Sequence, residues 1–212
     1  MKRIIALFLL LVTSVLSCVT LTGCAAPKVE EIYDRVVFLV EASYEVNTML
    51  YGNGLPVYRT DSEYAALKHI YYDFDNLGTY EYVTEQAKCF TFDMIKKKAR
   101  KIYSEDCLKA LFEYCFTGYA TNNGTGQMVI DRARYLEDGS WIYQSTAKNN
   151  FACEMRFYDY STMKVHSLGR RDACSVTMDS WLVSKPDKIE NVEIYLVLQD
   201  GEWFLDSVTG LA

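Results

Sequence analysis

From Val29 to Phe116 apolar residues recur mainly every three to four positions, and from Gln127 onward they alternate with polar ones. The first period is that of helices and the second that of strands. The clearest helix is residues 28–52, KVEEIYDRVVFLVEASYEVNTMLYG, where Val29, Ile32, Val36, Leu39 or Val40, and Ser43 share a face. Glu30, Glu31 and Asp34 sit in its first turns, where the helix dipole favours acids. Gly52, Gly54 and Pro56 end it. About 24 residues span some 36 Å, enough to lie across a curved sheet. Asp61-Ser62-Glu63 caps a short helix through Ile70, residues 70–74 read as extended, and 75–78 as a turn. Residues 79–88 are expected to be helical. Thr91 caps a helix over 92–103, with Met94, Ile95, Ala99, Ile102 and Tyr103 on one face. Its basic residues, from Lys96 to Lys101, read as a solvated face. Ser104 opens another helix over 105–116, striped by Cys107, Leu108, Leu111, Phe112 and Cys115.

Residues 117–126, TGYATNNGTG, read as a loop. Its glycines do not form a phosphate cradle, because no GK[ST] follows. Residues 127–136 and 141–144 form a hairpin around Asp138-Gly139. Further strands are expected at 151–160, 162–169, 173–183 and 191–199, with Asp200-Gly201 turning the last into 202–208. Val192, Ile194, Leu196 and Leu198 fall on one face of that pair. Helices followed by antiparallel strands make an α+β domain with helices on one face of the sheet. The closing stretch DGEWFLDSVTGL (200–211) resembles the last hairpin of NTF2-like or cystatin-like domains. That resemblance implies a long N-terminal helix packed on a curved antiparallel sheet. The extra helices between residues 62 and 116 depart from a minimal version. Chain order also loosely resembles secreted inhibitors of cell-wall DL-endopeptidases, but no inhibitory residue carries over.

The N-terminus has its own pattern. Lys2 and Arg3 precede an apolar run of 13 residues, 4–16, which suits a signal peptide and is short for a bilayer span. Residues 21–24, LTGC, resemble the lipobox of bacterial lipoproteins. The resemblance implies a diacylglyceryl group on the Cys24 sulfur and cleavage before it. A rival site is Cys18 in VLSC, but Gly23 leaves the smaller residue at the cut. This reading divides the chain into a leader at 1–23, a tether at 24–28 and one domain at 29–212. Within that domain, 29–116 is mainly helical and 127–209 is sheet.

Composition narrows the partners. Residues 24–212 hold all 28 acidic residues and 20 basic ones, for a net charge of −8. No basic footprint for nucleic acid exists, and anionic lipid repels such a surface. The lipid is then the hold on the outer face of the membrane. Besides Cys18 and Cys24 there are five cysteines, an odd number. Cys107 and Cys115 lie about 12 Å apart along one helix, too far to bridge. The five read as mostly buried thiols. Two histidines and no CxxC spacing offer little to a metal, and no cofactor is expected.

Candidate chemistry is sparse. Asp159 and Asp206 form a candidate carboxylate pair, set against capping roles for each. His166 is a candidate base, since NTF2-like enzymes often pair Asp with His in the sheet cavity. No GxSxG marks a serine nucleophile. Tyrosine is abundant, with 17 copies. The aromatic residues Tyr135, Trp141, Tyr143, Tyr158, Tyr160, Trp181 and Trp203 fall in the sheet half. If they share a face they make a platform for sugars or peptides; otherwise they fill the core. The sequence thus points to a non-catalytic, lipid-anchored binding module contacting an envelope protein or wall component. Alternatives are an NTF2-like carrier or enzyme, and an inhibitor of a wall hydrolase.

Overall fold

Helix α1, Val29–Leu50, buries Ile32, Val36, Leu39, Val40, Ser43, Val46, Asn47, Met49 and Leu50. The Glu31 carboxylate accepts from the Lys28 backbone N–H at 2.9 Å, closing its first turn. Each fully buried aliphatic side chain contributes about 1.5–3 kcal/mol. The structure, a computed structural model, describes residues 26–57, 71–72, 79–84, 87, 91–122, 128–138, 141–145 and 155–209. The leader, Cys24 and the short helix expected before Ile70 lie outside them.

Two further helices follow, α2 (Phe92–Ala99) and α3 (Glu105–Phe112). Thr91 Oγ1 accepts from Met94 N at 3.2 Å and Ser104 Oγ from Cys107 N at 3.1 Å, the expected caps. After α3 the chain widens into a π turn, Glu113–Thr117, released at Gly118 with φ 71°.

Strands β1 (Tyr71–Tyr72), β2 (Thr79–Tyr82), β3 (Gly118–Asn122), β4 (Met128–Arg132), β5 (Tyr135–Asp138) and β6 (Trp141–Ser145) are short. Then come β7 (Arg156–Ser167), β8 (Ala173–Leu182), β9 (Lys185–Gln199) and β10 (Glu202–Leu205). They form one antiparallel sheet in the order β1-β2-β6-β5, another in the order β10-β9-β8-β7, and the hairpin β3-β4. The fold is therefore α+β, with three α-helices and two open antiparallel sheets among the described residues. Cys174, Val176 and Met178 on β8, Ile194 and Leu196 on β9, and Leu205 on β10 join the core below α1. Helix α1 packs against β7, β10 and α2.

Three local expectations change. Residues 79–82 are a strand, because Tyr80 pairs with Ser145 and its hydroxyl donates to Ala133 O at 2.7 Å. Part of 117–126 pairs as β3 with β4 instead of looping. The strand expected over 127–136 breaks at Ala133-Arg134, because Arg134 turns inward. Its Nε donates to Met49 O at 2.9 Å and its Nη2 to Gly52 O at 2.5 Å. The region 29–116 thus holds strands as well as helices, and the sheet half is two sheets and a hairpin.

The loop after α1 is held in the same way. Gln144 Oε1 accepts from Leu55 N at 2.7 Å, and Gln144 Nε2 donates to Asn53 O at 3.1 Å. Gly54, at φ 82°, lies so close that an added Cβ would fall 2.0 Å from Gln144 Oε1. The loop needs glycine there for both space and conformation.

Candidate functional site

Strand β7 carries an irregularity between Asp159 and Lys164 in its pairing with β8. The Asp159 carboxylate folds back to accept from Ser161 N at 3.0 Å and Ser161 Oγ at 2.6 Å. Thr162 Oγ1 donates to Asp159 O at 2.8 Å and accepts from Asp179 N at 2.8 Å. The bulge bends the strand. Ahead of it, Tyr158 lies opposite the buried Ser180, so Tyr158 and Tyr160 point toward α1. Their rings stack with centroids 6.2 Å apart, and Tyr33 of α1 meets Tyr160 edge-on at 6.5 Å.

Between these rings and the second half of α1 opens a groove of about 320 Å³. Val40, Glu41 and Tyr44 of α1 line one side, and Tyr158 and Tyr160 the other. Ser43, Asn47 and Thr209 also line it. Ser43 Oγ and Thr209 Oγ1 share a hydrogen bond of 2.6 Å, and Asn47 Nδ2 donates to Thr209 O at 2.6 Å. The Tyr103 hydroxyl donates to Asn47 Oδ1 from below. Burial, then the neighbouring Glu41 carboxylate, push the Tyr160 phenol upward, and burial does the same to Tyr158. Both rings stay neutral.

No family model and no curated protein matches this chain. The site is therefore read from its own geometry.

Arg156 opens β7 at the groove's end. Its Nη1 donates to Ser180 Oγ at 2.8 Å and its Nη2 to Glu190 Oε2 at 2.9 Å. Lys188 and Arg156 together, Lys188 first, hold Glu190 down from its ordinary 4.5 to about 2. A depressed carboxyl stabilises the fold above its unfolded value and loses that contribution as pH falls through the folded one. Thermal melting of Glu190→Gln is expected to fall below wild type at pH 7 and to converge with it between pH 4.5 and 2. A constant gap across that range would detach Glu190 from the clamp.

The structure scatters the sequence-derived candidates. Tyr135 is fully buried, its hydroxyl donates to Met49 O at 2.6 Å, and burial pushes its phenol up to about 12. Tyr143 is buried in β6. Trp141 opens β6, and its side chain lies outside the described residues. Trp181 pairs across strands with Phe157, ring to ring at 6.1 Å. Trp203 packs against the core while its carbonyl accepts from Arg35 Nε at 2.8 Å. Asp206 accepts from Ser104 Oγ at 2.5 Å, and Asp159 is spent on its own bulge. His166 is exposed, 2.9 Å from Thr177 Oγ1. Of the candidates, Tyr160 stands in the groove, with Tyr158 beside it.

The thiols offer no alternative centre. Cys115 and Cys174 are buried and Cys107 half-buried. Burial, then Asp206, raise Cys107 to about 11, and burial alone raises Cys174 to about 11. Among the described residues no group of three metal-ligating side chains gathers. A wider hollow of about 680 Å³ beside α3 mixes Arg100 and Lys109 with Glu105, Asp200 and Glu202, so it presents no single sign.

Glu41 and Tyr44 are among the groove residues that sequence reading missed. Tyr33, Val37, Glu41 and Tyr44 follow one another at spacings of four, four and three. That is a second helix face beside the apolar stripe, and it was readable.

Proposed function

We propose that the chain is a lipid-anchored, extracytoplasmic, non-catalytic binding module whose contact site is the groove between α1 and β7. The observation that carries the binding half is the groove's lining. It offers aromatic rings and an exposed carboxylate, and its described residues include neither histidine nor cysteine. Its serine and threonine hydroxyls bond to each other and not to Glu41, so the solvated groove suits retention of a ligand better than turnover.

The address rests on LTGC. Helix α1 begins at Val29, so a lipid on Cys24 would leave only a short tether between bilayer and domain. No described helix is long and apolar enough to cross a membrane. Two acyl chains hold a protein firmly where one does not. The envelope component bound there is a partner protein or a wall constituent. A carrier with an NTF2-like or cystatin-like cavity is the second reading. It draws on the same groove, since a long first helix against an antiparallel sheet is where such cavities form.

Mass spectrometry of the N-terminal peptide from native membranes tests the address. The expected peptide starts at Cys24 and carries a diacylglyceryl group; an unmodified chain starting at Ala25 or Ala26 refutes it. Pull-down from native envelope with the anchor intact tests the module. Groove substitution Tyr44→Ala is expected to lose the retained component without lowering the melting temperature. Chemical turnover of a retained molecule would instead favour an enzyme.

A further inference from the structure

The groove's polar groups divide into those already engaged and those still free. Ser43, Asn47 and Thr209 satisfy one another. Arg156, the cation among the described lining residues, gives its guanidinium to Ser180 and Glu190. Glu41 makes no ion pair or hydrogen bond among the described residues, and the hydroxyls of Tyr158 and Tyr160 make none there either. What the groove presents to a guest is therefore an exposed acid and a set of phenol rings.

The arrangement has a sign. A ring face is negative and attracts a cation, by about 0.5–1 kcal/mol in the open and about 2 or more when desolvated. Tyr158 and Tyr160 stack at 21° between planes, and Tyr33 props Tyr160 edge-on at 73°. Glu41 lies close enough to Tyr160 to raise its phenol, so carboxylate and ring address the same space. An anion there would meet Glu41 and gain nothing.

The kind of cation follows from hydrogen-bond accounting. A primary ammonium brings three N–H donors. One carboxylate can meet one or two of them, and a phenol oxygen accepts in the plane of its ring, so a cation seated over the ring faces leaves at least one donor stranded once water is expelled, at a cost of roughly 1–3 kcal/mol. An ammonium whose hydrogens are replaced by methyl groups strands none, and it offers apolar surface to Val40 and the rings. We propose that this groove binds a small soluble quaternary ammonium compound, held by the faces of Tyr158 and Tyr160 and the carboxylate of Glu41. At about 320 Å³ the groove suits a small guest, at the low end of the roughly 300–1,000 Å³ range of ligand pockets. The proposal rests on the groove being the chain's binding site and deepens the second reading, a carrier of a small ligand, by naming the ligand class.

The test is calorimetric titration of the full chain in neutral detergent. The probes are benzyltrimethylammonium, benzylamine, which keeps the charge but carries N–H donors in place of methyl groups, and neopentylbenzene, which keeps the shape without the charge. Saturable binding of the first is expected, roughly tenfold tighter than either comparator. Glu41→Gln is expected to weaken it about three- to tenfold. Tyr160→Leu should cost about tenfold or more, while Tyr160→Phe, which keeps the ring, stays within about twofold. Glu41 is exposed, so its variant reports on binding and not on folding. Equal affinity for all three probes, or full affinity in Glu41→Gln, overturns the proposal. Phosphatidylcholine vesicles that bind the chain while the free compound does not would overturn the choice of a soluble ligand. A groove indifferent to ammonium on a chain that is still lipidated and still retains an envelope component sinks the ligand class alone. An unmodified Cys24 with intact ammonium binding sinks the address alone.

Discussion

Replacing Arg134 by methionine is expected to cost the fold about 3 kcal/mol, read as a lower urea midpoint at unchanged slope. Arg134 is completely buried. Its guanidinium reaches the carbonyls of Met49 and Gly52, which belong to the last turn of α1 and the loop after it. That helix has no basic residue in its own last turn. Arg134, lent from the sheet, therefore supplies the positive charge that the dipole's C-terminal end favours. Charged hydrogen bonds are worth about 1.5–3 kcal/mol each, and their loss strands acceptors. Relief from burying a charge offsets part of this. Arg134→Lys is expected to recover only part of the loss, because one ammonium cannot span two carbonyls as the planar fork does. If methionine left the midpoint unmoved, the guanidinium's desolvation would equal everything its bonds return.

Asn47→Leu is expected to cost about 2–4 kcal/mol and to release the segment around Thr209. Leucine keeps the volume but removes the amide that serves three groups: the Tyr103 hydroxyl loses its acceptor, the Thr209 carbonyl loses a donor, and the Thr209 hydroxyl is left with Ser43. Tyr103 is buried, so its hydroxyl has no water to turn to. Hydrogen exchange separates the two effects. Amides near Thr209 should exchange faster than the global stability change requires, because Asn47 ties that segment to α1. Uniform acceleration across the chain would mean that the network stabilises the fold without fastening the C-terminal segment. Ser43→Ala, which removes one neutral hydrogen bond of the set, should cost about 1 kcal/mol.

Periodicity read α1, the two capped helices and the closing hairpin with small boundary errors, because each carries its own start and stop signals. Thr91 and Ser104 cap as expected, and Asp200-Gly201 turns β9 into β10. The strand at 79–82 was misread because TYEYVTEQAK suits either period locally. Its partner β6 lies some sixty residues away, and pairing with it decides the matter. The inward turn of Arg134 was invisible for a related reason. A charged residue in an alternating run predicts an exposed position, and only the helix end above it makes burial favourable. Tyr160 was legible as a candidate, but the groove was not. It needs α1 and β7 side by side, and half of its chemistry lies on the helix, where tyrosines beside acids look like ordinary surface.

The bulge in β7 has a consequence for crowding. Among the described residues strand β7 is an edge of its sheet, and it runs for 12 residues from Arg156. An exposed edge of that length, if straight, is a template on which another chain can pair. The fold-back of Asp159 onto Ser161 interrupts the row of free backbone groups, and Lys164 and His166 follow on the same edge. Proteins tethered to one membrane face meet each other at high local concentration. In the lipid-anchored module proposed above, the kink that aims the tyrosines at α1 would thus also hinder neighbouring copies from zipping together.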